Sequence, residues 1–262
     1  METIKINTKD NSKTLDEAFD AFQQLNKIKD LSEATIIFYE YSYKTFTEFY
    51  SGENQCNSLE LQIINNFIMY LKENRNVNNI SINTFLNGLR SFINYCIKLG
   101  YTEPFKIPKI KAIKKIKETY KDKELELLLK KPDMKKCRFS EYRNWVFINY
   151  LMATGNRVST ILNIKIEDID FDNDTIILKK TKNRNQQIIP ISNSLKIILL
   201  EYLKYRKGTG EDYLFCNPKG NKTTANCIKI SIRQYNNSRG VKKTSIHLFR
   251  HTFAKDWILN GR

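Results

Sequence analysis

Apolar side chains recur every three to four residues along the first hundred positions, which is the spacing of amphipathic helices. Four segments show this pattern: residues 14–25, 32–50, 59–74 and 81–99. Thr14, with Glu17 three residues later, forms a capping-box signature at the first segment, and Gly100 ends the fourth. Four helices with short connections predict a small all-α domain over residues 14–103, after a loose polar tail over residues 1–13.

The pattern changes beyond a linker, residues 104–119, in which Pro104 and Pro108 precede a run of lysines. Helices are predicted at residues 121–133, 143–154, 156–163, 193–206 and 223–236, and a last one begins near His247. Two β-branched runs, residues 175–180 and 187–191, flank a basic tip and predict a hairpin or small sheet. We therefore expect a mainly α fold with a small β-sheet (α+β) and a second domain over residues 120–262.

Charge is concentrated in the second domain. The net charge is +16; residues 1–118 carry 16 basic and 14 acidic side chains, whereas residues 119–262 carry 28 and 14. This imbalance favours a polyanion, and nucleic acid first, as the partner of the C-terminal part. No apolar run is long enough to span a membrane, and the polar N-terminus is not typical of a secretory signal. The lysines of the linker fit either a solvated connection or a strap along phosphates.

The five cysteines are odd in number and widely spaced, with no C-x-x-C pair. Such spacing is typical of reduced thiols rather than of a disulfide framework or a zinc site. We therefore expect a cytoplasmic protein.

Both histidines of the chain lie in TSIHLFRHTFA, residues 244–254. On a helix capped by Thr244 or Ser245, His247 and Arg250 share one face because they are three residues apart. A guanidinium can grip two phosphate oxygens, while an imidazole can give or take a proton near neutral pH. A structural histidine and a solvated arginine are the ordinary alternatives. His247 and His251 also have metal-ligand spacing, but a cation between them disfavours a metal, and we expect none.

Two further segments carry matching chemistry. Residues 153–159, ATGNRVS, place Arg157 after a glycine break, and residues 179–184, KKTKNR, form the basic hairpin tip. Converging arginines, a lysine and a histidine would neutralise a phosphate, and fixed guanidinium groups would stabilise a phosphoryl transition state more than its ground state. The acidic residues near the hairpin fit a solvated turn, which we favour, or a Mg²⁺ site of a nuclease: Glu167, Asp168, Asp170, Asp172 and Asp174.

These segments resemble the boxes of the tyrosine recombinases, the phage-integrase type of site-specific DNA recombinase. ATGNRVS is similar to the box A-T-G-x-R-[IV]-S, KTKN followed by IIP resembles the hairpin lysine box, and HLFRHTFA resembles H-x-[LF]-R-H-[ST]-[FA]-A. NTFLNGLRSF, residues 83–92, is similar to the N-x-x-L-x-x-L-R-x-F pattern of the family's core-binding domain. Thr160 stands where the family usually has an acidic residue.

The resemblance implies a core-binding domain over residues 14–103, a catalytic domain over residues 120–262 and DNA strand exchange through a phosphotyrosyl intermediate without any cofactor. It implies that Arg157 and Arg250 clamp the scissile phosphate, that His247 assists proton transfer and that a hairpin lysine is the general acid. Counting back from Pro190, Lys182 fits that role better than Lys179 or Lys180. The residues expected to bind DNA are Arg90, Lys109, Lys111, Lys114, Lys115, Lys180 and Arg184.

The resemblance also implies double-stranded DNA as the partner, assembly to a tetramer on DNA, and a bacterial, phage or mobile-element origin. No membrane partner is expected, because the sequence has no apolar run long enough to span one. The family's nucleophilic tyrosine follows the H-x-x-R box, and here the last tyrosine is Tyr235. We therefore expect a catalytic domain incomplete at its C-terminus, with the nucleophile beyond Arg262, and a chain that binds DNA without cleaving it. The alternative is a catalytically silent DNA-binding protein related to recombinases.

Overall fold

A computed structural model describes residues 13–113, 118–181 and 185–259. The chain divides into two units, residues 1–114 and residues 115–262. Helices dominate both units, and the second also contains a three-stranded antiparallel sheet. The predicted fold class is therefore confirmed.

Over residues 13–113, the N-terminal unit has four helices, α1 (Leu15–Ile28), α2 (Glu33–Thr47), α3 (Leu61–Glu73) and α4 (Asn79–Lys98), with a 3-10 turn at Cys56–Ser58. The predicted capping box is present, because the Thr14 side chain accepts from the Glu17 amide and the Glu17 carboxylate accepts from the Thr14 amide. Helix α4 begins two residues earlier than predicted, since the Asn78 side chain caps it by accepting from the Ser81 amide.

Aromatic side chains fill the core between these helices. The rings of Phe19 and Tyr43 stack with their centroids 3.9 Å apart, and Phe92 meets both rings edge-on. Phe46 is fully buried and packs edge-on against Phe67. The aromatic residues of α2 therefore contribute mainly to packing.

The first part of the linker is bonded to α4. The Asn83 side chain exchanges two hydrogen bonds with the backbone of Ile110, at 2.8 and 3.0 Å. Asn79 donates from its side-chain Nδ2 to the Lys111 carbonyl at 2.9 Å. Arg90 Nη2 lies 3.4 Å from the carbonyl oxygens of Ile107 and Pro108. Residues 107–111 are therefore held along α4 and are not a freely solvated connection.

The C-terminal unit is arranged around one buried helix. In chain order its elements are α5 (Asp122–Leu129), α6 (Phe139–Thr154), α7 (Val158–Ile161), a 3-10 turn (Ile166–Asp168), β1 (Ile169–Asp170), β2 (Thr175–Leu178), β3 (Gln187–Pro190), α8 (Asn193–Arg206), α9 (Ala225–Ser238) and α10 (His247–Leu259). Helix α6 contacts α5, α8, α9 and α10. The sheet order is β1-β2-β3, with Ile176 opposite both Ile169 and Ile189.

Two differences from the predicted elements have a physical cause. Helix α6 starts at Phe139, four residues before the predicted position. The prediction was late because Arg143 and Asn144 are polar residues that interrupt the apolar pattern, although both are buried. Arg143 donates from Nη1 to the Cys216 carbonyl at 2.9 Å and from Nη2 to the Ser231 hydroxyl at 3.0 Å, so both terminal nitrogens of its guanidinium are bonded inside the core. Strand β1 was not predicted, since its two residues are too few to show an alternating pattern.

Candidate functional site

Gly155 sets the direction of the chain where α6 ends. Its φ of 60° is left-handed, and it terminates α6 by donating its amide to the Leu151 carbonyl at 2.8 Å. Two residues later, Arg157 occupies the N-cap position of α7, and its side chain is exposed. A glycine is required at 155 for space as well, because a Cβ there would lie 2.2 Å from Phe253 Cδ1 of α10. The turn therefore brings Arg157 and α10 together.

Helix α10 carries the two other residues of the site. His247 is the first residue of the helix and is exposed, and Arg250 is half-buried one turn later. Residues three apart lie on one face of a helix, so both side chains leave α10 in the same direction. Arg250 Nη1 donates to the Gly155 carbonyl, which ties this helix to the turn that carries Arg157.

The charges of the two arginines act on each other. Burial lowers the pKa of Arg250, and the positive charge of Arg157 lowers it further. Within the three described stretches of the chain, neither guanidinium forms an ion pair with a carboxylate. Two neighbouring cations without a counter-charge form a site that an anion with several oxygens would stabilise.

Thr160 replaces the acidic residue that the family usually has near Arg157. Its side chain is buried, and its amide donates to the Arg157 carbonyl at 2.9 Å. The backbone of Arg157 is therefore held by the first turn of α7, while no carboxylate is supplied at position 160.

The hairpin lysines have different surroundings. Lys179 pairs with the buried Asp168 at 2.6 Å and with Glu167 at 3.2 Å, and these bonds raise its pKa. Lys180 is exposed just beyond β2. The Thr181 hydroxyl donates to the Asn185 carbonyl at 2.7 Å and closes the hairpin loop. Lys182 and Arg184 lie outside the described residues, so the assignment of the general acid to Lys182 stays a prediction.

A basic cavity opens beside His247. It measures about 350 Å³ and is lined by three residues of α9 and by the segment that leads into α10: Lys229, Ile230, Arg233, Thr244, Ser245, Ile246 and His247. Lys229 and Arg233 are exposed and four residues apart on one helical face. These two residues were not among those predicted to bind DNA, although two cations at helical spacing within a basic domain are a usable signal.

The residues predicted to bind DNA differ in the exposure of their side chains and in the hydrogen bonds that those side chains already make. Lys109 and Lys111 are exposed on the segment that is bonded to α4. Arg90 is half-buried and also bonds Asn87 at 2.7 Å, so its guanidinium supports the linker backbone. Lys114 and Lys115 lie outside the described residues.

The acidic residues near the hairpin are used in turns and ion pairs. Asp168 accepts from the Lys165 amide at 2.8 Å as well as pairing with Lys179. Asp170 accepts from the amides of Asp172 and Asn173, and Asp174 pairs with Lys196 at 2.6 Å. These bonds account for the cluster as a structural turn, which is the interpretation we favour from the sequence.

Tyr235, the last tyrosine of the chain, belongs to the core. It is 3% exposed, and its hydroxyl donates to the Leu128 carbonyl at 2.9 Å. Burial raises the pKa of its phenol, which keeps the proton on the oxygen. Tyr235 is therefore not placed to act as a nucleophile at the arginine site.

Comparison with protein-family models identifies the class. Residues 118–261 match the phage integrase family, and residues 7–121 match the phage integrase SAM-like domain. Because the first match alone spans more than half of the sequence, the chain belongs to the phage integrase family, whose members include the tyrosine recombinases.

Individual relatives agree with this class. Tyrosine recombinase XerC of Staphylococcus aureus (strain USA300 / TCH1516) is 28% identical over 253 residues, which cover 92% of this chain and 83% of that protein. The fold is similar to the Tn1549 transposon integrase in complex with transposon right end DNA, with a TM-score of 0.77, 19% identity and coverage of 95% and 88%. It is also similar to a lambda integrase tetramer bound to a Holliday junction, with a TM-score of 0.71, 14% identity and coverage of 98% and 78%.

None of the helices in the described part of the chain is both long and apolar enough to cross a membrane.

Proposed function

We propose that this chain binds double-stranded DNA and holds one phosphodiester between Arg157, Arg250 and His247, as part of site-specific DNA breakage and rejoining. The observation that carries the proposal is the pair of neighbouring guanidinium groups. They meet at the Gly155 turn and have no carboxylate partner among the described residues. The pKa of Arg250 is lowered by its own burial and by the positive charge of Arg157. A DNA phosphate supplies the missing negative charge.

The arginines act on charge that develops during the reaction. Attack on a phosphodiester gathers negative charge on the non-bridging oxygens, and guanidinium groups that are already in place stabilise it without reorganisation. The Gly155 carbonyl fixes Arg250, and the first turn of α7 fixes the backbone of Arg157. This preorganisation favours the transition state over the bound substrate.

The remaining steps are proton transfers and a covalent exchange. A tyrosine hydroxyl gives its proton to a base as its oxygen forms a bond to phosphorus, the bond to the 5′ oxygen breaks, and a general acid gives that oxygen a proton. We assign the general acid to Lys182 and assistance in proton transfer to His247. A 5′ hydroxyl from a partner duplex then reverses the step, and the covalent link conserves the bond energy, so that no metal or other cofactor is required.

Further cations are available to hold the duplex on both units. The strap lysines Lys109 and Lys111 in the first unit are exposed, and Lys229 and Arg233 line the cavity beside His247 in the second. Lys114, Lys115, Lys180 and Arg184 complete the proposed phosphate contacts. Assembly into a tetramer on DNA is supported by the likeness to the lambda integrase tetramer on a Holliday junction.

Residues 1–262 by themselves are proposed to bind DNA without cleaving it. Two observations support this: no tyrosine follows Arg250 in the sequence, and the Tyr235 hydroxyl is bonded inside the core. The second candidate function is therefore a silent DNA-binding protein that occupies recombination sites. The reading frame after Arg262 separates the two, because a downstream tyrosine supports the enzyme and a native stop codon supports the silent protein.

We expect no covalent adduct when the 262-residue chain meets nicked duplexes that carry a random-sequence pool. The measurement is SDS-stable protein–DNA species on a denaturing gel. A family member with its tyrosine, on its own nicked site, shows that the assay detects an adduct. An adduct formed by the 262-residue chain alone would contradict the absence of a nucleophile.

DNA binding is expected to weaken steeply with salt. A protein that neutralises six or more phosphates loses roughly a thousandfold or more in affinity between 50 and 200 mM salt, because condensed counterions are released on binding. Fluorescence anisotropy of a labelled duplex over this range gives the slope. A nearly flat response would mean that the lysines and arginines named here do not contact the backbone.

A further inference from the structure

The last residue of the linker and the residues after it are bonded to the segment that leads into α10. Lys243 Nζ donates to the Thr119 carbonyl at 2.9 Å and pairs with Glu124 at 2.9 Å. The same Glu124 carboxylate accepts from the Lys121 amide at 2.8 Å. Residues 119–121 and the segment around Lys243 are thus held together by a chain of direct bonds.

Tyr120 reaches α10 itself. It is 2% exposed, and its amide donates to Thr252 Oγ1 at 2.9 Å. Thr252 in turn donates to the Leu248 carbonyl at 2.9 Å. The Tyr120 ring packs against Phe249 with a centroid distance of 4.4 Å. Tyr120 therefore contacts the same two turns of helix that carry His247 and Arg250.

The Tyr120 hydroxyl holds the backbone immediately before α10. It accepts from Asn236 Nδ2 at 2.9 Å and lies 3.3 and 3.4 Å from the carbonyl oxygens of Lys243 and Ser245, to either of which it can donate. The Ser245 carbonyl also accepts from the Leu248 amide at 3.0 Å, which forms the turn that begins α10. Burial raises the pKa of the Tyr120 phenol, so the hydroxyl keeps the proton that it donates.

We propose that Tyr120 is a positioning residue for the phosphate site, because its amide, ring and hydroxyl together fix the start of α10 and thereby His247 and Arg250. This inference rests on the proposed function. A group that stabilises a phosphate must be held within about half an ångström of its productive position by packing and by bonds to neighbouring residues. Tyr120 supplies a hydrogen bond to Thr252, ring packing against Phe249, and a hydroxyl that donates to the Lys243 or the Ser245 carbonyl, so its contacts lie on both sides of the two site residues.

Sulfate is a suitable probe of the site, because it is a tetrahedral oxyanion and requires no knowledge of the DNA target. The chain has only two histidines, so histidine labelled with ¹³C at Cε1 gives one NMR signal per residue and two in all, and a His247→Gln variant identifies the one from His247. Sulfate is titrated against chloride at constant ionic strength, and the shift of the His247 signal gives the dissociation constant. We expect the wild-type signal to move and to saturate.

Tyr120→Phe removes the hydroxyl and keeps the ring on Phe249. We expect it to raise the sulfate dissociation constant about tenfold, equivalent to about 1.4 kcal/mol. The matched control is Tyr235→Phe, which also deletes a buried hydroxyl bonded to a backbone carbonyl, that of Leu128 in α5 and not one at the start of α10. We expect that control to change the constant less than about twofold, and thermal unfolding compares the loss of stability in the two variants.

Equal sulfate affinity in Tyr120→Phe and the wild type would overturn the positioning role. If Tyr120→Phe does not fold, Lys243→Met tests the same role, because Lys243 pairs with Glu124 beside Tyr120. Lys131→Met is the control for the loss of one positive charge, since Lys131 pairs with Glu201 of α8. Lys243→Met should weaken sulfate binding at least about threefold more than its control, and equal effects would overturn the inference. If the His247 signal of the wild type does not shift with sulfate, the proposed phosphate site is contradicted, and so is the positioning role of Tyr120.

Discussion

Replacement of Gly155 with alanine is expected to destabilise the C-terminal unit by about 2–4 kcal/mol, the sum of left-handed strain and overpacking. The backbone at 155 has a φ of 60°, and the added Cβ would lie 2.2 Å from Cδ1 and 2.5 Å from Cε1 of Phe253. A ring inside a packed contact cannot move away freely. The clash therefore separates α10 from the end of α6 and disturbs the Arg250 bond to the Gly155 carbonyl.

The two tryptophans make this loss measurable in the full chain. Trp145 and Trp257 both belong to the C-terminal unit, so urea unfolding followed by tryptophan fluorescence reports on that unit. The matched control is Gly240→Ala, because Gly240 has a φ of 75° but nothing within 4 Å of a new Cβ. We expect the control to cost about 1 kcal/mol. Equal losses in the two variants would show that contact with Phe253 does not constrain position 155.

Arg250→Ala is expected to weaken the binding of duplex DNA about 10- to 100-fold, because a buried, charge-assisted contact to phosphate contributes about 1.5–3 kcal/mol. Arg250 is half-buried next to Arg157, where solvent screening is weaker than at the surface. Fluorescence anisotropy at 100 mM salt measures the dissociation constant, and the same duplex serves for every variant.

Arg138→Ala is the control for the loss of one positive charge. Arg138 is exposed at the N-cap of α6 in the same unit and is not part of the arginine pair. Screening at 100 mM salt limits its long-range effect, so we expect less than about a threefold change. If Arg250→Ala binds DNA as tightly as Arg138→Ala does, Arg250 supports the Gly155 turn and does not contact the DNA.

Much of the fold could be predicted because the helices carry their own signals. Thr14 caps α1 as the sequence indicates, and residues 193–206 form α8 with the predicted bounds. Strand β1 and the early start of α6 could not be predicted. The first depends on pairing with β2, and the second on bonds that Arg143 makes to distant residues.

The arginine site could be predicted in part. The boxes around Arg157 and Arg250 indicate phosphate chemistry, but their meeting depends on Gly155, whose carbonyl accepts from Arg250 and whose missing side chain leaves room for Phe253. The contacts of Tyr120 could not be predicted, because its hydrogen bond to Thr252 joins residues that are 132 positions apart. No local pattern carries information of this kind.

We propose that Arg157 and Arg250 hold the same phosphate, and a double-mutant cycle for DNA binding tests this most directly. Dissociation constants of the wild type, Arg157→Ala, Arg250→Ala and the double variant are measured with one duplex at 100 mM salt. If both side chains grip one phosphate, the double variant loses less than the sum of the single losses, with a coupling of at least about 1 kcal/mol. Losses that add to within about 0.5 kcal/mol would mean that the two arginines act at separate places on the DNA.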